Sequence, residues 1–307
     1  KERRKKMTNY KNDIQKIIPH IKERSNKTGE KAIMDMARSL VGALYEADIS
    51  VDTFLNDFKK DQIFDASCYF ENGANIFDYY KNVKYKELIK IMFQLRPVGL
   101  GTPNAMVGES EFLGLMTTAR SGVAKKKNTG DITVDDKTIE LKGDQLRFMG
   151  KITGKNLQKH MMVVSKKYNV KPNETTKGRT AYEPWGRSGN KINHWLNEMN
   201  KLGANKGNKY LQESLSVVVK GKIDYKSAFV KGKFDVEELN KIMLINLFKS
   251  QTKLWDAFTV ISDGVVSCIT SCEKSFAKMV NTGKIKVTGD YFRSFQDMNV
   301  GLYCEFA

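Results

Sequence analysis

Two periodicities divide the chain. Up to about residue 96, apolar side chains return every three or four positions: Ile14, Ile17, Ile18 and Ile21, then Ile33, Met36, Ala37, Leu40, Val41 and Leu44 within 31–47. That spacing gathers them on one face of a helix. Ser50 is a good N-cap for a third helix carrying Phe54, Leu55 and Phe58. A fourth, over 85–94, stops before Pro97. The stretch PVGLGTPNAMVG at 97–108 is a Gly- and Pro-rich loop and a candidate boundary. A helix over 108–120 and a basic loop, AKKKNTG, follow. The period then falls to two in GDITVDDKTIELKG, which predicts two short strands.

Residues 143–192 are polar and basic, without a regular apolar pattern. LQESLSVVVKG, around 212–222, reads as a strand. Residues 234–248 form an amphipathic helix with Leu239, Ile242, Met243, Ile245 and Leu247. The last fifty residues alternate strand and helix: WDAFTVIS, VVSCIT, CEKSFAKMVNTG, KIKVTG and NVGLYCEF. Helices first, then strands with intervening helices, predict an α/β (α+β) protein. The expected organisation is an N-terminal helical region, 1–96, and a second domain, 97–307, with a basic insertion at about 143–200.

At 307 residues and 40% hydrophobic composition the chain can bury a real core. No run of 18 apolar residues predicts a membrane span, and KERRKKM leads into no apolar stretch of a secretory signal. Cys68, Cys268, Cys272 and Cys304 are scattered, which favours buried thiols in a reducing cytoplasm over a zinc site. His20, His160 and His194 have no partner spacing. No Walker-type phosphate loop and no dinucleotide fingerprint appears. A formal charge of +17 points to a polyanionic partner, most commonly nucleic acid, or else to a basic protein without one.

The period-two segment carries the candidate chemistry. If Asp135-Asp136 form a two-residue turn, Val134 pairs with Lys137, and the register places Asp131 opposite Glu140. Lys142 lies on the same face, while Ile132, Val134, Ile139 and Leu141 enter the core. Two facing carboxylates repel unless a cation lies between them. Oxygen donors of this kind suit Mg²⁺, which activates water and neutralises charge on a phosphate. Lys142 would hold or deprotonate that water, or stabilise the transition state. The same three residues also read as an ordinary salt-bridge ladder on a polar sheet face.

The ordered texts VGESEFLGLM, TGDITV and IELKG resemble the PD-(D/E)xK nuclease superfamily over about 36 residues, from Gly108 to Gly143. Thr129-Gly130 stand where the eponymous proline would be. The resemblance implies a restriction-endonuclease-like mixed β-sheet core flanked by helices. It implies Mg²⁺ (or Mn²⁺) held by Asp131, Glu140 and the Leu141 backbone carbonyl, with Lys142 as the catalytic lysine. A helix glutamate completes the set. Gly108-Glu109 matches the usual opening of that helix, and Glu109 rides the edge of a face made by Phe112, Leu113 and Met116; Glu111 is the alternative. The implied activity is hydrolysis of double-stranded DNA, as an endonuclease, by an enzyme that works in the cytoplasm (a host's, if phage-encoded) and whose relatives often dimerise. A non-catalytic nucleic-acid-binding or packaging protein that keeps the fold is the competing expectation.

Between 142 and 192, twelve Lys/Arg face three acids, a local surplus of nine. Arg147, Lys151, Arg179 and Arg187 are phosphate-contact candidates, and Tyr182 and Trp185 are candidates for stacking on unpaired bases. Lys125, Lys126 and Lys127 form a second basic loop beside the hairpin.

Overall fold

A computed structural model of the chain describes residues 2–25, 30–71, 74–95, 116, 118–124, 130–142, 146–174, 180–181, 189–219, 221–252, 254–262, 265–270, 273–288 and 299–306. In chain order the helices are α1 (Glu2–Ser25), α2 (Glu30–Glu46), α3 (Val51–Lys59), α4 (Val83–Leu95), α5 (Gly154–Tyr168), α6 (Gly189–Asn200), α7 (Gly203–Leu215), α8 (Val236–Gln251) and α9 (Glu273–Asn281). The first strands are β1 (Ser121–Val123), β2 (Ile132–Val134), β3 (Lys137–Lys142) and β4 (Leu146–Thr153). Four two-residue strands follow: β5 (Asn173–Glu174), β6 (Thr180–Ala181), β7 (Phe229–Val230) and β8 (Lys233–Phe234). The last are β9 (Ala257–Ser262), β10 (Val265–Thr270), β11 (Ile285–Val287) and β12 (Asn299–Phe306). The protein is therefore mixed α/β.

The chain divides into two compact units, one of Lys1–Asp144 with Leu254–Cys272 and one of Gln145–Lys253 with Glu273–Ala307. This grouping differs from a boundary near residue 97. Helical residues such as Ile33, Leu40 and Leu88 share one apolar cluster with Ile132, Val134, Ile139, Leu141 and Ala257 of the sheet. An apolar sheet face left without those helices would meet water, at a cost of roughly 1.5–3 kcal/mol for each large side chain.

In the first unit, α2 buries Ile33, Met36, Ala37, Leu40, Val41 and Leu44, the face its spacing predicts. Ser50 caps α3 by accepting the Thr53 N–H at 3.1 Å. The sheet runs β1-β2-β3-β9-β10. Its pairings are antiparallel except β3 with β9, which run parallel. Asp256 fastens the start of that parallel pair: its carboxylate accepts the Thr138 N–H at 2.8 Å and the Thr138 hydroxyl at 3.1 Å.

The second unit contains an antiparallel sheet in the order β11-β12-β4. Phe148 of β4 meets Phe248 of α8 and Phe276 of α9, and the latter two stack with centroids 3.9 Å apart. Two sequence expectations change here. Part of 143–192 is regular: β4 alternates buried Leu146 and Phe148 with Arg147 and Met149. After it, α5 buries Leu157, Met161, Val164, Ser165 and Tyr168. Long charged side chains at the alternate positions hid the strand, and a serine interrupts the helical face. The supposed strand around 212–222 is instead the last turn of α7 followed by turns. Its valines Val218 and Val219 are buried without a ladder, so burial and not β-pairing explains the apolar run.

Candidate active site at the end of the hairpin

The β2–β3 hairpin has the register expected from its sequence: Val134↔Lys137, Thr133↔Thr138 and Ile132↔Ile139. Asp135 and Asp136 adopt φ of 47° and 65°, the left-handed pair of a type I′ turn. Aspartate tolerates this conformation better than most residues, and Arg120 holds the turn by donating to Asp135 Oδ2 at 2.5 Å. The same guanidinium donates to Asp61 Oδ2 at 2.9 Å, tying the hairpin to the end of α3.

The ladder stops one residue before the predicted Asp131–Glu140 pair. Gly130 has φ +95°, and a Cβ placed on it would lie 2.9 Å from the Ile139 carbonyl oxygen. Only glycine fits both conditions. The kink bends the chain so that the Asp131 N–H donates to the Ile139 carbonyl at 2.8 Å. The Asp131 carboxylate then turns to β3, where Oδ2 accepts the Leu141 N–H at 2.8 Å. A side chain thus replaces the backbone acceptor that β2 no longer supplies. Asp131 and Glu140 are held near each other by this bend, not as a flat cross-strand pair.

Lys142 completes the group. Its ammonium is ion-paired with Glu140 Oε1 and lies 3.8 Å from Asp131 Oδ2. The side chains of Asp131, Glu140 and Lys142 are 25%, 16% and 25% exposed, so the charges are largely out of water yet reachable. Burial raises the Glu140 carboxyl above its ordinary range; the Lys142 charge opposes that shift and the Asp131 charge adds to it. Two acids with one ammonium leave the patch one negative charge in excess.

The donor set fits a hard divalent cation. It offers two carboxylates whose second oxygens are not used by these contacts. The Leu141 carbonyl also projects to the Asp131 side, because N–H and C=O of a strand residue point the same way. Among the described residues no three His, Cys, Asp or Glu side chains cluster as a metal group. Glu109 and Glu111, the candidates for a further carboxylate, lie outside the described residues. So do Lys125, Lys126, Lys127, Arg179, Tyr182, Trp185 and Arg187.

Arg147 and Lys151 are described, and both stand on the face of β4 opposite its buried residues. The Arg147 guanidinium lies 5.3 Å from the ring centroid of Tyr303, its cross-strand partner on β12. Cation and ring therefore present one surface.

The histidines serve the scaffold. His20 packs edge-on to Phe58 at 4.4 Å, and burial lowers its pKa to about 4. His160 and His194 each bond a backbone carbonyl. Cys68 and Cys304 are buried. No helix among the described residues is long and apolar enough to cross a membrane. The positioning roles of Gly130, Arg120 and Asp256 were missed in the sequence. Only Gly130, directly before an aspartate at a strand start, carried a local signal. Compared with known proteins, the chain matches no family model, no curated protein and no solved structure.

Proposed function

We propose that the protein is a metal-dependent nuclease that hydrolyses phosphodiester bonds of DNA, built on a restriction-endonuclease-like core. The observation that carries this is the convergence of Asp131, Glu140 and Lys142 at the kinked end of one hairpin, largely buried and net negative. The mixed sheet with its parallel β3–β9 pair supports the fold assignment. So does the +17 charge for a polyanionic substrate.

Asp131, Glu140 and the Leu141 carbonyl would hold Mg²⁺ or Mn²⁺, with Glu109 or Glu111 as the further acid. When bound, the ion supplies an activated water and neutralises charge on the scissile phosphate. Asp131 keeps one oxygen on the Leu141 N–H, which fixes its direction and leaves the other outside this bond. Lys142 is placed to hold a water or to neutralise negative charge developing on phosphate oxygens once it leaves Glu140. Its partial exposure permits that swing. Glu140, with its raised pKa, gains from a second cation more than an exposed glutamate would.

One contact favours a non-catalytic role. The Lys142 ammonium already closes the carboxylate pair as an internal salt bridge. A Mg²⁺ titration of cleavage on linear, circular, branched and single-stranded substrates separates the two. A nuclease gives metal-dependent cleavage that Glu140→Ala reduces by about a thousandfold, the scale of lost metal and acid–base assistance. Salt-sensitive binding with no cleavage at any metal concentration would assign the fold to binding alone.

A further inference from the structure

A polar cleft of about 540 Å³ opens in the second unit between α7 and the connection that follows it. Asn205, Asn208, Lys209 and Gln212 recur at i, i+3, i+4 and i+7, which puts them on one face of α7. The opposite wall runs through Lys222-Ile223-Asp224-Tyr225 into a 3-10 turn that starts at Lys226. Its exposure alternates, with Ile223 and Tyr225 buried and the two lysines outward. Lys222, Asp224 and Lys226 line this wall of the cleft.

The walls are clamped by a buried amide. Asn208 Nδ2 donates to Asp224 Oδ1 at 2.9 Å, and its Oδ1 accepts the Tyr225 N–H at 2.8 Å. The same Asp224 oxygen accepts the Lys226 N–H at 3.1 Å. Asn208 is 5% exposed, so both its polar groups are used to fix the wall, and Asp224, the one acid of the cleft, offsets one of its three lysine charges. Lys209, Lys222 and Lys226 make no ion pair among the described residues. Three exposed ammonium groups on the two walls of a fixed cleft, flanked by amides, match an anion with several oxygens.

We infer that this cleft holds the phosphate backbone of nucleic acid, as a contact site of the second unit. The inference does not rest on the hairpin carboxylates, since backbone contact needs neither metal nor cleavage. It is tested with the full chain in EDTA, by fluorescence anisotropy on a labelled duplex across a range of KCl. The variant is the triple Lys209→Gln, Lys222→Gln and Lys226→Gln, whose exposed positions leave the core intact; a thermal melt checks this. The control triple Lys11→Gln, Lys31→Gln and Lys60→Gln removes the same charge from exposed positions of the first unit.

The cleft variant should lose about a hundredfold in affinity near 0.1 M salt. Its slope of log K against log [salt] should fall by about two to three, one unit for each phosphate contact. The control should keep the wild-type slope within about one unit. Binding unchanged in the cleft triple, or an equal loss in the control, overturns the inference. So does calorimetry in which inorganic phosphate binds the wild type and not the cleft triple while duplex affinity is the same for both; the site would then belong to a small anion.

Discussion

The two sheets use charge in opposite ways. In the five-stranded sheet, the polar end of the β2–β3 hairpin holds two acids and one lysine in mutual contact and largely out of water. In the three-stranded sheet, the outer face of β4 sets Arg147 on the Tyr303 ring and leaves Lys151 exposed, and β4 itself carries no acid. Opposed charges in a half-dry patch have strong and direction-dependent effects on one another. Like charges on a wet face act weakly and additively, as phosphate contacts do. On the proposed function, the first sheet would carry the chemistry and the second would attract the polyanion.

The sharpest way to break it is to exchange the consequences. Lys142→Met should abolish most metal-dependent cleavage, by about a thousandfold in kcat, while duplex affinity in EDTA changes less than about threefold. Removing Lys142 also leaves Glu140 buried without its cation, so a thermal melt accompanies the kinetics. Should cleavage survive and binding collapse instead, the hairpin is a phosphate contact and the distinction between the sheets is lost.

Acid separates the units next. His20 belongs to the first unit, its Nε2 is buried without a hydrogen-bond partner, and its pKa in the fold is about 4 against an ordinary 6.5. Above pH 6.5 it is neutral folded or unfolded and costs nothing through titration. As pH falls towards 4, the unfolded chain takes up a proton that the folded one refuses. Stability is therefore lost across that window, by roughly 2–3 kcal/mol. In the second unit His160 and His194 each bond a backbone carbonyl. Amide hydrogen exchange at pH 7 and pH 4.5 should show protection falling more in α1–α3 than in α5 and α7. His20→Gln should remove most of the difference, and equal loss in both units would end the contrast.

Asp131 has two roles in this picture, and they separate at a smaller energy. Asp131→Ala strands the Leu141 N–H and should cost about 1–3 kcal/mol in stability as well as activity. Asp131→Asn keeps an acceptor for that N–H, so the melt should recover most of the loss while cleavage does not. Recovery of both would reduce Asp131 to a positioning residue.

Much of this arrangement was readable from the residues. Alternation in GDITVDDKTIELKG is strict, and a two-residue turn leaves one register that buries all four aliphatic side chains. The kink at Gly130 was not readable as such, because it depends on a clash with Ile139 that exists only after pairing. The same holds for Asp256, 118 residues from the Thr138 it fastens. The division into units escaped for another reason. The β3–β9 pairing closes across an excursion of more than a hundred residues, and no local periodicity reports such a closure. In the second unit, Lys and Arg at the outward positions of β4 and α5 made a folded segment look like a loop. Net charge described their surface and concealed the order beneath it.

That surface gives the smallest and most additive effect. Arg147→Ala removes one cation and the stack on Tyr303, both on the outer face of β4, and touches no core side chain. If the face meets a phosphate, the salt slope of duplex binding should fall by about one and affinity by a few-fold, uniformly across sequences. If Tyr303 stacks on a base instead, Tyr303→Leu should weaken single-strand binding by about 1–3 kcal/mol and spare the duplex. A face that meets neither leaves both variants at wild-type affinity. Attraction of the polyanion would then fall to the lysines of the α7 cleft, still within the second unit but away from its sheet.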